Sequence, residues 1–261
     1  MIDLLTGSVN IKLQDFFKLL FQENSNSTNW LLIHEFRLPR VITAVIAGIA
    51  LSISGLQMQN MFRNPLAGPY VLGISSGAGL AVALVVMGLP GIFDLSVMSS
   101  ANSWLLVIAA WTGSALILLL ILIFSYRIKS IMTILVLGVM IGSGISALIS
   151  ILQYFSQESA LKAFVVWTMG SLSAVGKEQL PFLFAGFIPG FIISVIIIKP
   201  SNAILLGENY ARTMGVNIRV YRILVFLSTS FLTGTVTAFC GPIGFVGIAV
   251  PHIARLITNT S

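Results

Sequence analysis

The chain has 261 residues, 57% of them apolar and 8% charged, and a mean hydropathy of +1.00. An ordinary globular domain is roughly 45–50% apolar and about 25% charged, so a water-soluble protein is excluded. Fourteen Lys and Arg against eight acids leave a net charge of +6, but no basic run is present, and the excess reads as loop charge beside a membrane rather than as a surface for nucleic acid.

Residues 1–40 are the most polar part. Ile11, Leu13, Phe16, Phe17, Leu19 and Leu20 alternate with Lys12, Asp15 and Lys18 at helical spacing, which predicts a short amphipathic surface helix. A secretory signal needs a basic start and an uninterrupted apolar core, whereas here Asp3 comes first and charges break the apolar positions. Pro39 should hold Arg37 and Arg40 outside a helix, at a span end where basic side chains snorkel.

From Val41 onward the uncharged stretches predict spans at about 41–62, 70–90, 104–125, 131–155, 180–198 and 221–240 and a shorter one at 244–257, on the basis of ~20 apolar residues per crossing. Arg63-Asn64-Pro65 closes the first with a tight turn, since Pro cannot continue the helix and holds Asn64 extended. Gly48, Gly55, Gly73, Gly77, Gly79, Gly138, Gly142 and Gly144 put small residues on helix faces, which lets helices approach closely in lipid. Between the fifth and sixth spans, Gly207 and Gly215 bracket a piece long enough for two helical turns, in which Glu208 and Arg212 are spaced to pair on one face. Gly241-Pro242-Ile243-Gly244 separates the last two spans. With Gly247, it reads equally as a simple hairpin or as a broken helix bordering a pathway, because irregular backbone at membrane depth needs protein or a water-filled cavity around it.

With residues 63–69 cytoplasmic, eight of the fourteen basic residues fall inside and six outside, while Glu208 is the sole acid inside. The single cysteine, Cys240, rules out a disulfide framework and a Cys-based metal site. His34 and His252 fall in different loops on opposite sides, so they cannot share a metal. No Gly-rich loop followed by Lys is present to bind nucleotide. The spans carry essentially no ionisable groups, unlike ion-driven carriers, which bury them along the path. An integral membrane enzyme lacks any acid–base or metal cluster here. What remains is a polar, uncharged helix bundle suited to a passage whose energy comes from another subunit.

Several blocks carry a resemblance. They are Arg37-Leu38-Pro39-Arg40; Arg63-Asn64-Pro65-Leu66-Ala67-Gly68-Pro69 running into Leu72-Gly73-Ile74-Ser75-Ser76-Gly77-Ala78-Gly79; Trp167-Thr168-Met169-Gly170-Ser171-Leu172; Leu206-Gly207-Glu208-Asn209-Tyr210-Ala211-Arg212-Thr213-Met214-Gly215-Val216; and Gly241 through Arg255, ending Pro251-His252-Ile253-Ala254-Arg255. In this order they resemble the FecCD-type permeases of bacterial ABC importers for iron-siderophores, heme and vitamin B12. The resemblance covers 1–261 as one permease domain, with an extracytoplasmic amphipathic segment at 1–40 and a helix bundle at 41–258. It implies an all-α, polytopic type II importer fold of ten helices. About seven spans of it are expected here, since the chain opens in what resembles the loop after the family's first helix and stops where two more would follow.

The resemblance further implies a non-enzymatic subunit without a cofactor, in the cytoplasmic membrane of a bacterium. Its partners would be a separate ATP-binding cassette ATPase, an extracytoplasmic substrate-binding protein, a second permease subunit, identical or homologous, and membrane lipid. Residue by residue, it makes Arg37 and Arg40 docking groups for acidic residues of the binding protein. It makes Gly207, Glu208, Ala211, Arg212 and Gly215 the coupling segment seated in the ATPase. A secondary transporter or channel driven by a gradient is the alternative from another mechanistic class.

Overall fold

The computed structural model describes residues 28–88, 103–128 and 130–258, and within them the chain is helical, with turns between. A helical turn at Thr28–Leu31 and a wide π turn at Leu32–Arg37 lead into α1, Leu38–Phe62. A 3-10 turn at Pro69–Leu72 precedes α2, Ile74–Met87. Next come α3, Ser103–Arg127, and α4, Ile131–Phe155. The short α5, Glu158–Thr168, is followed by α6, Leu180–Ile196, and α7, Ile198–Leu205. The last are α8, Glu208–Thr213, α9, Ile218–Cys240, and α10, Val246–Thr258.

Five of these runs are long and apolar enough to cross a membrane, among the described residues: Leu32–Phe62, Trp104–Arg127, Ile131–Phe155, Lys177–Ile196 and Ile218–Cys240. One expected span is shorter than predicted. The stretch at 70–90 begins with the 3-10 turn and continues as the 14-residue α2, about 21 Å at ~1.5 Å per residue against a hydrocarbon core of ~30 Å. Residues 89 and 90, and the amphipathic helix expected before residue 21, lie outside the described residues. The last expected span, the shorter one at 244–257, is the 13-residue α10. Pro39 does not keep its neighbours out of a helix either, because helical backbone runs through it. The π turn directly ahead widens the helix where the ring would otherwise press on the preceding turn, and Pro39 sits at the start of α1, where a missing N–H costs least.

α1 runs through the middle, against α9 on one side and α10 on another. Two apolar cores divide its length. One gathers Ile46, Ala47, Ala50 and Leu51 with Leu232, Val236 and Phe239 of α9; the other gathers Met58, Met61 and Phe62 with Ile218, Tyr221, Val225 and Phe226. Between them lies a buried polar layer. Gln57 Nε2 donates to Ser228 Oγ at 3.0 Å and Gln57 Oε1 accepts from Thr229 at 3.1 Å, while Thr233 donates to Ser54 Oγ at 3.1 Å and Ser228 donates to the Gly190 carbonyl at 2.8 Å. Each hydroxyl has a protein partner, which is what hydrocarbon requires of a polar group it encloses.

Small residues set the closest approaches. A Cβ on Gly77 of α2 would lie 2.6 Å from the carbonyl oxygen of Gly113 in α3, and one on Gly138 of α4 would lie 2.6 Å from that of Val71. These are backbone contacts that any side chain would open.

Candidate functional site

At the end of α9 the chain reverses through Gly241–Phe245 and comes back as α10 along α1. Side-chain register places this reversal within the length of α1 rather than beyond it: Thr233 meets Ser54, Gly247 meets Gly55, and Gln59 reaches the Ile248 carbonyl at 3.5 Å. The backbone of the reversal is satisfied by protein. The Tyr70 hydroxyl, carried by the 3-10 turn, accepts from the Ile243 N–H at 3.1 Å and donates to the Ile243 carbonyl at 2.9 Å. The Ser171 N–H donates to the Cys240 carbonyl at 2.6 Å. Gly241 and Gly170 both take positive φ, +72° and +70°, and a Cβ on Gly241 would lie 2.5 Å from the Trp167 carbonyl oxygen. Three sequence blocks, at 69–72, 167–172 and 241–247, therefore meet at one junction.

Not every glycine there faces inward. Gly241 and Gly247 are buried and Pro242 is half-buried, but Gly244 is exposed with open space where a Cβ would be. Beside it Phe245 is 85% exposed and holds φ at +64°. A bulky residue in that region carries a backbone cost of roughly 1–3 kcal/mol. The conformation lets the Phe245 carbonyl accept from the Ile248 and Ala249 N–H groups, both at 2.9 Å, as the first bonds of α10.

At the opposite end of α9 lies the polar segment. α8 hangs between Gly207, at φ +128°, and Gly215, at φ +83°, and its Ala211 is buried. Arg63, left-handed at the end of α1, donates to the Ile204 carbonyl of α7 at 3.0 Å, tying this segment to the central helix. The expected pairing of Glu208 with Arg212 does not form. Glu208 turns toward α9 instead and accepts from Arg222 Nη2 at 2.9 Å, where the arginine side chain is only 13% exposed, while Arg212 is exposed. Partial burial favours that longer-range partner over a solvated one on its own helix.

Arg37 and Arg40 lie at the other end of the bundle, one helical turn apart, with Arg37 half-buried and Arg40 exposed. Nearby, Lys177 bridges Glu35 at 3.3 Å across the entry to α6, and Trp30 stacks on His34 at 4.3 Å. Among the described residues, no three His, Cys, Asp or Glu gather as a metal site. Sequence reasoning missed α5, Tyr70 and the Ser54–Gln57 layer. Gln57 and Gln59, polar within an apolar span, were the available signal.

The profile of the FecCD transport family matches residues 1–261. The chain belongs to the FecCD transport family. A hemin transport system permease, HmuU of Yersinia pestis, is 34% identical over 252 residues, spanning 96% of this chain and 74% of that protein. A vitamin B12 import permease, BtuC of Salmonella typhi, is 36% identical over 230 residues, spanning 87% and 67%. Among solved structures, a metal-chelate type ABC transporter in an inward-facing conformation superposes with a TM-score of 0.83 at 28% identity, over 99% of this chain and 77% of that one.

This FecCD permease is thus a multi-pass protein of the cytoplasmic membrane with the helical architecture of ABC importer permeases. Its junction of broken segments and its α8 stand at separate levels of the bundle, joined by α1 and α9.

Proposed function

We propose that the chain is the transmembrane subunit of a binding-protein-dependent ABC importer that carries an iron chelate, a ferric siderophore, heme or a cobalamin-like compound, using ATP hydrolysed by a partner subunit. The carrying observation is α8, a six-residue helix held between two positive-φ glycines and anchored by buried Ala211. A short helix set off by a glycine at each end, with one face held against the bundle, suits a coupling element. Gly207, Glu208, Ala211, Arg212 and Gly215 form it in this reading, and a cleft of the ATPase receives it. Arg37 and Arg40 dock the acidic lobes of an extracytoplasmic binding protein. Gly241, Pro242, Gly244 and Gly247 border the path, and a second permease subunit, identical or homologous, completes it.

The long helices carry no Asp, Glu, Lys or Arg over Val41–Phe62, Trp104–Tyr126, Ile131–Phe155, Leu180–Ile196 or Ile223–Cys240. That weighs against a carrier driven by an ion gradient, which needs such groups on its path. The test is uptake into proteoliposomes holding the permease with an ATPase and a binding protein, using radiolabelled ferrichrome, heme and cobalamin in turn. ATP-dependent uptake of one of them is the expected result. Gradient-driven flux through the permease alone, without ATP, overturns the reading.

A further inference from the structure

Two cavities lie along the same seam between α3 and α9. One, of about 430 Å³, is lined by Tyr126 and Ser125 at the end of α3 and by Arg212, Arg219 and Arg222 around the start of α9. The other, of about 290 Å³, is lined by Trp111, Ala115, Leu118 and Phe231 further along the same two helices. On α3 the lining positions 115 and 126 are eleven residues apart and fall on one helix face, so the two cavities open along the same side of α3, each against α9. Tyr126 and Ala115 are eleven residues apart, ~16 Å along the helix at ~1.5 Å per residue, close to the ~15 Å of one hydrocarbon leaflet.

Among the described residues the charged end carries more positive than negative charge. Three guanidiniums line it, and Glu208 is the acid that pairs there, on Arg222. Arg219 is stacked over the Tyr126 ring at 4.8 Å, which fixes its plane and leaves its edge to donate. The Arg212 guanidinium makes no hydrogen bond or ion pair with any described residue. A basic pocket at the border of the spans, in line with an apolar slot on the same side of α3, matches one molecule that is anionic at its head and apolar along its length.

We infer that the α3/α9 groove is a binding site for a single acidic phospholipid, its phosphate between Arg212 and Arg219 and an acyl chain along Ala115, Leu118 and Phe231. The site lies apart from the proposed path but shares Arg212 with the proposed coupling segment, and its test uses the chain without the ATPase and does not depend on transport. A lipid held there ties α8 to α3 through its headgroup.

The experiment is native mass spectrometry of the purified full chain, in micelles doped with equal phosphatidylglycerol and phosphatidylcholine, together with the variants Arg219→Gln, Ala115→Leu and Ala115→Phe. Ala115 is exposed, so filling that slot leaves the core intact. The expected result is one retained phospholipid with phosphatidylglycerol favoured about tenfold, the worth of one to two surface basic contacts. Arg219→Gln should erase most of that preference, and the Ala115 variants should lower retention of both lipids. Equal retention of the two headgroups, or no change in Arg219→Gln, overturns the headgroup site. Competition by millimolar inorganic phosphate together with indifference to both Ala115 variants shows a free-anion pocket and overturns the lipid. No retained lipid overturns it as well.

Discussion

Gly55 of α1 and Gly247 of α10 meet backbone to backbone, so that a Cβ on Gly55 would overlap the Gly247 carbonyl. Gly247 is itself crowded, since a Cβ there would lie 2.7 Å from Pro69 and 2.8 Å from the Leu51 carbonyl oxygen of α1. Gly55→Ala should therefore destabilise the bundle by about 3 kcal/mol, the upper part of the overpacking range. Gly48→Ala, on the same helix with open space at its Cβ, should be neutral or gain up to about 1 kcal/mol from lower chain entropy. Thermal midpoints in detergent decide it, and equal midpoints for the two variants would refute the contact.

Tyr70→Phe removes a single hydroxyl that serves both the N–H and the carbonyl of Ile243. Leaving two enclosed backbone groups unpaired should cost about 1–3 kcal/mol. The junction should also loosen locally, read as faster amide hydrogen exchange at Ile243 and Gly244 with little change in α4. Unchanged exchange at Ile243 would mean that another partner takes over.

Gly215 has open space around it but holds φ at +83°, so the penalty for a side chain there is conformational and not steric. Gly215→Val should cost roughly 1–2 kcal/mol, misdirect the exit of α8 and lower ATP-driven transport, whereas Gly215→Asn should keep more activity because asparagine tolerates left-handed backbone. Ala211→Pro removes the bond from the Ala211 N–H to the Gly207 carbonyl at 2.9 Å and should abolish ATPase pull-down. Retention of the ATPase and full transport in both Gly215→Val and Ala211→Pro would reduce α8 to a loop.

Reversing Arg37 and Arg40 to Glu should weaken capture of the binding protein at low salt while leaving membrane insertion intact. The difference should shrink as ionic strength rises, because exposed charges are screened over ~10 Å at 0.1 M salt. Capture in detergent across a salt series is the measurement. Capture indifferent to the double reversal would remove these arginines from the docking surface.

The long helices were legible because a run without charge has one physical outcome in a bilayer: α3 and α4 fall within two residues of the predicted boundaries. The ends of α8 were legible as well, since Gly207 and Gly215 mark backbone that only glycine adopts cheaply. What sequence spacing could not supply was partner choice across the fold. Glu208 has a candidate four residues away yet pairs fourteen residues away with Arg222, because burial there outweighs proximity. α5, with Glu158 and Lys162 in an eleven-residue helix, is too short and too charged to resemble a span. The junction at Tyr70 and Ile243 joins residues 173 positions apart, beyond the reach of any periodicity.

The buried hydroxyls of α9 have a consequence for how the protein is made. Ser228, Thr229, Thr233, Thr235 and Thr237 are enclosed, and 78% of the span's most apolar stretch is buried, against 17% for α4. Gln57 emerges from the ribosome 172 residues before its partner Thr229, and at ~5–20 residues per second it waits on the order of ten seconds or longer. Through that interval α1 stands in the membrane with Ser54 and Gln57 uncovered, beside a slot that α9 fills. α9 itself is a reluctant entrant to lipid, drawn in by a socket built ahead of it. Biogenesis thus has a fixed order, and the nascent chain is most exposed to degradation just before α9 arrives.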